Sequence, residues 1–113
     1  MDLKQYMEKV FNLQDDLEEF QREIEGDISE NPKAFQSTIH LSDELQIYLS
    51  KVDNYLEDKE SVNFSKETEA FIDQLTAFQK SLKNTVEEKH PQWESSFDKV
   101  SSQITAVQQN YQP

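Results

Sequence analysis

Apolar residues in the first part of the chain recur at alternating spacings of three and four. The run comprises Leu3, Tyr6, Val10, Leu13, Leu17, Phe20 and Ile24. This spacing places all seven side chains on one face of an α-helix, as in the heptads of a coiled coil. We expect Asp2 to cap the helix at its start and Gly26 to end it in a left-handed conformation. The pattern therefore predicts a helix of about residues 3–25 that buries one narrow stripe.

A second helix is predicted from residue 32 to about residue 59. Asn31 before Pro32 is typical of an N-cap followed by proline at the first helical position. The apolar positions of this helix are Phe35, Ile39, Leu41, Leu45, Tyr48, Leu49, Val52, Tyr55 and Leu56. They form a wider stripe than that of the first helix, which indicates contact from two sides. The pattern is weakest at residues 40–43, where a kink or a helix restart is an alternative.

The last part of the chain carries a continuous apolar register that proline interrupts. Ser65 is the expected N-cap of a third helix, whose face is Phe71, Leu75, Phe78, Leu82 and Val86. The register continues past Pro91, so both a break and one long kinked helix agree with it. Because proline in a helix interior costs about 3 kcal/mol, we favour the break. The uncharged segment from Val100 is then a fourth core helix, or alternatively a dimerising segment.

These elements predict an all-α protein with a single domain over residues 1–113. The favoured architecture is a four-helix up-down-up-down bundle, because four helices of similar length are joined by short loops. The alternative is a three-helix bundle with one long third helix kinked at Pro91. Only 35% of the 113 residues are hydrophobic. A homo-oligomer, in which a second copy completes a thin core, is therefore a further alternative.

Composition excludes several classes of function. The chain has no Cys, which removes disulfides, thiolate zinc sites and cysteine nucleophiles. Its single Gly rules out the glycine-rich loops that bind nucleotide phosphates. A net charge of −12 argues against direct binding of a nucleic-acid backbone. The partner we expect is another protein, and a basic one would suit the charge.

Membranes and secretion are not indicated by the sequence. No apolar run approaches the ~18 residues that a membrane span needs, and the N-terminal residues lack the apolar region of a signal peptide. We therefore expect neither a membrane partner nor a membrane anchor. The expected location is the cytoplasm, with leaderless export as an open alternative.

No catalytic or metal site is indicated either. Glu87 and His90 have the Glu-x-x-His spacing of di-iron bundles, but those bundles need the motif on two helices. The other histidine, His40, has no acidic residue three positions before it. The serines and carboxylates form no arrangement that singles out a nucleophile or an acid–base pair. We expect a non-catalytic protein without metal or cofactor.

Two surfaces are candidates for partner binding. Leu41, Tyr48 and Tyr55 lie seven residues apart and would form a row on the second helix. If the row is exposed, it would suit an adaptor, chaperone or assembly subunit, since tyrosine supplies large contact area at low entropy cost. If the row is buried, it is ordinary bundle packing. The second surface is an acidic patch on the first helix: Asp15, Asp16, Glu18, Glu19 and Glu23. This patch would suit an inhibitor or immunity-type protein that blocks a basic toxin or nucleic-acid enzyme by mimicking phosphates.

Overall fold

The protein is helical along almost all of the chain that the structure describes. The computed structural model describes residues 2–58 and 64–111, with side chains for residues 2–54 and 64–111. The helices are α1 (Leu3–Glu25), α2 (Pro32–Asp58), α3 (Phe64–Lys89) and α4 (Glu94–Asn110), and a 3₁₀ turn (Pro91–Trp93) precedes α4. The all-α prediction is confirmed.

The four helices form an up-down-up-down bundle in which neighbours in sequence are neighbours in space. Within the described residues α1 packs against α2 and α4, and α3 packs against α2 and α4, while the diagonal pairs do not meet. The bundle measures 45 × 21 × 19 Å. The favoured prediction of a four-helix bundle is thus confirmed.

Helix α1 supplies the most completely buried stripe of the core. Six of the seven predicted positions are at most 1% exposed: Tyr6, Val10, Leu13, Leu17, Phe20 and Ile24. The predicted N-cap is confirmed, because the Asp2 carboxylate accepts a hydrogen bond from the backbone N–H of Gln5 at 3.3 Å. The periodicity of the sequence therefore specifies both the helix and its buried face.

The predicted left-handed cap at Gly26 is wrong. Gly26 has φ −63° and ψ −24°, which is right-handed helical backbone. The chain leaves α1 through a tight turn instead, in which the N–H of Asp27 donates to the carbonyl of Ile24 at 2.9 Å. Since this turn keeps φ negative, it does not need the freedom that glycine has.

The break at Pro91 is confirmed, and the three-helix alternative is excluded. Helix α3 ends at Lys89, and His90 leaves the helical region with φ −136° and ψ 62°. The 3₁₀ turn follows and leads into α4, whose Val100, Ile104 and Val107 are fully buried. The uncharged segment is therefore part of the core of this chain.

Two smaller predictions about helix ends and kinks are corrected by the structure. Helix α2 runs without interruption through residues 40–43, so the weak apolar pattern there does not mark a kink. Helix α3 already includes Phe64, so Ser65 lies inside the helix rather than at its N-cap.

One end of the bundle is closed by contacts between the first loop and the 3₁₀ turn. The indole N–H of the fully buried Trp93 donates to a carboxylate oxygen of Asp27 at 3.1 Å, and the indole stacks on His90 at a ring distance of 3.9 Å. The side-chain oxygen of Asn31 caps α2 by accepting from the N–H of Ala34 at 3.1 Å. Its amide nitrogen lies 3.3 Å from Nε2 of His90. We call Asp27, Asn31, His90 and Trp93 the end clasp.

Candidate functional site

The predicted row on α2 does not form an exposed ridge. Leu41 is 2% and Tyr48 is 3% exposed, so both belong to the core. The physical reason is that helix α2 is rotated with this side towards α1 and α3. The side chain of Tyr55, the third member, lies outside the described residues. Leu41 and Tyr48 are therefore packing residues, and their outer edges form the floor of a groove described below.

Tyr48 takes part in a buried chain of hydroxyl groups. Its hydroxyl lies 2.9 Å from that of Tyr6 on α1 and 2.8 Å from that of Thr68 on α3, and its ring stacks on Phe71 at 4.1 Å. Burial raises the pKa of Tyr6 well above its usual value and raises that of Tyr48 as well. Both hydroxyls therefore stay protonated at neutral pH, and they tie three helices together.

The acidic patch on α1 is distributed around the helix rather than gathered at one point. Asp15 and Glu18 are exposed, and Asp16 is half-buried. Glu19 lies 3.4 Å from the ammonium of Lys99, and Glu23 accepts a hydrogen bond from Ser96, so these two contact α4. Among the described residues the structure gives no ion pair to Asp15, Asp16 or Glu18. Two of the five carboxylates are thus engaged with α4, and the other three carry the unpaired charge of the patch.

Large apolar side chains lie on the surface at positions that the sequence analysis did not single out as exposed. They are Phe11 at 50% exposure, Ile28 at 41%, Ile39 at 37% and Ile47 at 49%. Phe11 lies one turn before Asp15, on the outer face of α1. The signal for Phe11 was available, because it falls between the heptad positions of the buried stripe. Three of the four belong to α2 or to the loop before it, which makes this side of the bundle the more apolar one.

A groove runs between α2 and α3, and we call it the α2–α3 groove. It consists of two adjoining depressions of about 380 and 510 Å³ that share Gln74. Buried side chains form its floor: Leu41, Tyr48, Phe71 and Phe78. Small residues line the α3 side: Ala70, Ala77 and Ser81. Because these side chains are short, the floor residues reach the groove at their edges, although each is only 2–6% exposed.

Charges in the α2–α3 groove are concentrated at its ends. Lys33 lies at one end and Lys51 and Lys66 at the other, since α2 and α3 are antiparallel. Lys51 is 3.9 Å from Glu67, and Glu44 near the middle accepts a hydrogen bond from Gln74 at 3.4 Å. Three lysines against two glutamates make the lining positive, although the chain as a whole carries −12.

A further depression lies on the outer side of α2, next to the groove. It measures about 500 Å³ and is lined mainly by apolar residues: Ile28, Pro32, Phe35 and Ile39. Gln36 and His40 line both this depression and the groove. The wide apolar stripe of α2 is thus explained in part by contact with α1 and α3, and in part by apolar residues that face outward.

The α2–α3 groove could have been suspected from one sequence signal. Ala70, Ala77 and Ser81 recur on one side of the third helix, next to its apolar face, and none of them is charged. In a chain with 30% charged residues, such an uncharged strip beside an apolar face is unusual for a solvated surface. Whether this strip lines a groove depends on the distance between α2 and α3, which the local sequence pattern does not predict.

The described residues contain no cluster of side chains suited to hold a metal ion, since no group of three or more His, Asp or Glu side chains within residues 2–54 and 64–111 is placed to do so. His90 of the Glu-x-x-His motif is engaged in the end clasp, where its Nδ1 lies 3.8 Å from the carboxylate of Glu30. What the groove offers is shape, apolar area and charge, which are the properties of a binding surface.

In the described part of the chain, no helix has the length and apolar character required to cross a membrane. Comparisons with protein-family models, with curated proteins and with solved structures find no significant match to this chain. The site geometry therefore carries the functional argument by itself.

Proposed function

We propose that the protein is a non-catalytic protein-binding module that captures its partner in the α2–α3 groove. The observation that carries this proposal is the open groove with an apolar floor, beside which Ile47 is half exposed. An accessible apolar surface bordered by polar residues is typical of protein interfaces. The role is that of an adaptor, chaperone or assembly subunit, in which binding is the activity.

The groove replaces the tyrosine row as the binding surface of this module. A row of exposed tyrosines would bind a flat partner, whereas a groove between two helices accepts an inserted element. Leu41 and Tyr48 still contribute, because they form part of the groove floor. Changing Tyr48 would therefore disturb the core as well as binding, and it is a poor test of function.

The sharper test blocks the groove from its rim. Ala77 is exposed and lines the groove, so Ala77→Glu should fill the groove with a charged side chain while leaving the core intact. Ser102→Glu is the matched control, since Ser102 is exposed on α4, away from the groove. We expect affinity capture from a lysate, followed by mass spectrometry, to recover partners with the wild type and the control. Recovery of the same partners with Ala77→Glu would contradict the proposal.

A second candidate function is an acidic inhibitor that acts through α1. It is supported by the exposed carboxylates of Asp15 and Glu18, which flank one face together with the half-exposed Phe11. Such a protein would bind a basic enzyme with an affinity that falls steeply with salt. Reversing Asp15 and Glu18 to Lys should then abolish capture. Unchanged capture by this variant, together with loss in Ala77→Glu, would decide for the groove.

A further inference from the structure

The α2–α3 groove has a length and a charge distribution that select one kind of occupant. We propose that it binds an amphipathic helix of about five turns, with an apolar stripe in the middle and acidic residues at both ends. This inference rests on the proposed function and adds to it the chemical class of the partner.

The length follows from the residues at the two ends. Lys33 and Lys51 lie at opposite ends of the groove on the same helix. They are 18 residues apart in the sequence, which at ~1.5 Å per residue gives about 27 Å. A helix of about five turns has this length. A single turn or a short loop would fill only part of the two depressions.

The cross-section favours a helix over other occupants. The α3 side is lined by Ala70, Ala77 and Ser81, so an incoming backbone can approach closely. Ile47 projects from the α2 side and is half exposed, ready to contact an apolar stripe. Amphipathic helices bind such grooves through residues at positions i, i+3, i+4 and i+7.

The charges specify the ends of the occupant. Lys33 and Lys66 lie at opposite ends, and neither forms an ion pair within the described residues. Near the middle, Glu44 keeps its negative charge while it accepts a hydrogen bond from the neutral amide of Gln74, so it disfavours acidic residues in the middle of the partner helix. An acidic residue at each end of the partner helix would therefore meet a lysine that has no ion pair among the described residues. Charges of the right sign also steer encounter and fix the register of binding.

A second copy of this chain does not have the properties of the proposed occupant. Two copies each carry −12, so they repel one another. The apolar stripe of α1 is at most 1% exposed over its six core positions, so it cannot be presented without unfolding the bundle. Nucleic acid is disfavoured as well, since the floor is apolar and its few lysines lie at the ends.

The test uses the full chain and three synthetic helical peptides of about 18 residues. The first has a leucine stripe and glutamates at both ends, the second has lysines at the ends, and the third keeps the glutamates but has glutamine in the stripe. We expect the first to bind at least about tenfold more tightly than the others in a fluorescence-anisotropy titration. Equal binding of all three would overturn the proposal.

Variants of the protein test where the peptide binds and which charge the ends of the groove prefer. Lys33→Glu combined with Lys66→Glu should reverse the preference, so that the lysine-ended peptide binds more tightly. Ala77→Glu should weaken binding of the glutamate-ended peptide at least about tenfold, whereas Ser102→Glu should not change it. Circular dichroism verifies that each variant is folded. A preference that is unaffected by lysine reversal would show that the ends do not recognise charge, and would contradict the proposal.

The outcome also separates this inference from the proposed function. If the peptides fail to bind while Ala77→Glu still loses its partners in the capture experiment, the groove is a binding site with a different occupant and only the helix proposal fails. If Ala77→Glu changes neither measurement, both proposals fail. A dimer in sedimentation equilibrium that Ala77→Glu dissociates would identify a second copy as the occupant, and would overturn the proposed helix.

Discussion

At the scale of single residues, the buried hydroxyl chain makes stability depend on alkaline pH. Tyr6 and Tyr48 have raised pKa values in the folded protein because they are buried, whereas an exposed tyrosine in the unfolded chain has a pKa of about 10. Above this pH the unfolded chain releases protons that the folded protein retains. These two tyrosines therefore leave the free energy of unfolding unchanged below about pH 9 and lower it above about pH 10.

Removing one of the two tyrosine hydroxyls should reduce the loss of stability at alkaline pH. Tyr6→Phe is expected to cost about 1 kcal/mol at pH 8, where it removes the hydrogen bond to Tyr48. Between pH 9 and 11 the difference from the wild type should shrink, because each raised tyrosine adds up to about 1.4 kcal/mol of loss per pH unit. Urea unfolding across this range measures it. Lysine titration is common to both proteins, so a constant difference would contradict the role of Tyr6.

Gly26 gives a second residue-scale prediction, which follows from its right-handed backbone. An added methyl group would meet its nearest neighbour, the carbonyl oxygen of Glu23, at 3.4 Å, an ordinary contact. Gly26→Ala should therefore increase the free energy of unfolding by about 0.4–1 kcal/mol, since it restricts the unfolded chain. The urea midpoint should rise with no change in the denaturant dependence. A lower midpoint would contradict this prediction.

At the scale of elements, the sequence specifies helices better than it specifies their junctions. The stripe of α1 and the break at Pro91 follow from spacing and from proline sterics, which are local effects. The two predictions that were wrong, a left-handed cap at Gly26 and an N-cap at Ser65, both concern the ends of helices. A junction depends on tertiary contacts such as the end clasp, where Asp27 and Trp93 are far apart in sequence. No local pattern predicts which loop residue meets which helix.

The end clasp should therefore be sensitive to substitution. Trp93→Phe removes the indole donor to the Asp27 carboxylate, and a hydrogen bond to a charged group is worth about 1.5–3 kcal/mol. We expect at least this loss in urea unfolding. Asp27→Ala measures the same contact from the other side. In the double variant the losses should be smaller than additive by about 1 kcal/mol or more, whereas strict additivity would argue against a direct contact.

At the scale of the whole molecule, periodicity predicts the bundle but not which faces of its helices point inward. Residues seven apart, such as Leu41 and Tyr48, share a helix face in any bundle. Whether that face points inward depends on how α2 is rotated against α1 and α3. The groove likewise results from the distance between two helices, which packing determines. The burial of Leu41 and Tyr48 agrees with the packing alternative for this row, and the face of α2 that binds a partner stays a prediction.

The two sides of the bundle should differ in local stability. The core positions of α1 are at most 1% exposed, and Val100, Ile104 and Val107 of α4 are fully buried. Among the residues of the groove floor, Tyr48 and Phe71 are 3% and Phe78 is 6% exposed. Binding surfaces are generally drawn from the less stable parts of a fold. If the α2–α3 groove binds the partner, we expect α1 and α4 to act as the scaffold and α2 and α3 to respond to binding.

Hydrogen exchange measures this difference directly. Amides in the middle of α1 and α4 should exchange most slowly, at rates close to those of global unfolding, and those of α2 and α3 should exchange faster through local opening. Saturation with the glutamate-ended peptide should slow exchange in α2 and α3 and leave α1 and α4 nearly unchanged, because a ligand stabilises the helices that it contacts. Slowest exchange in α2 would contradict the assignment of scaffold and groove. Protection that appears only in α1 would instead place the peptide on the acidic face.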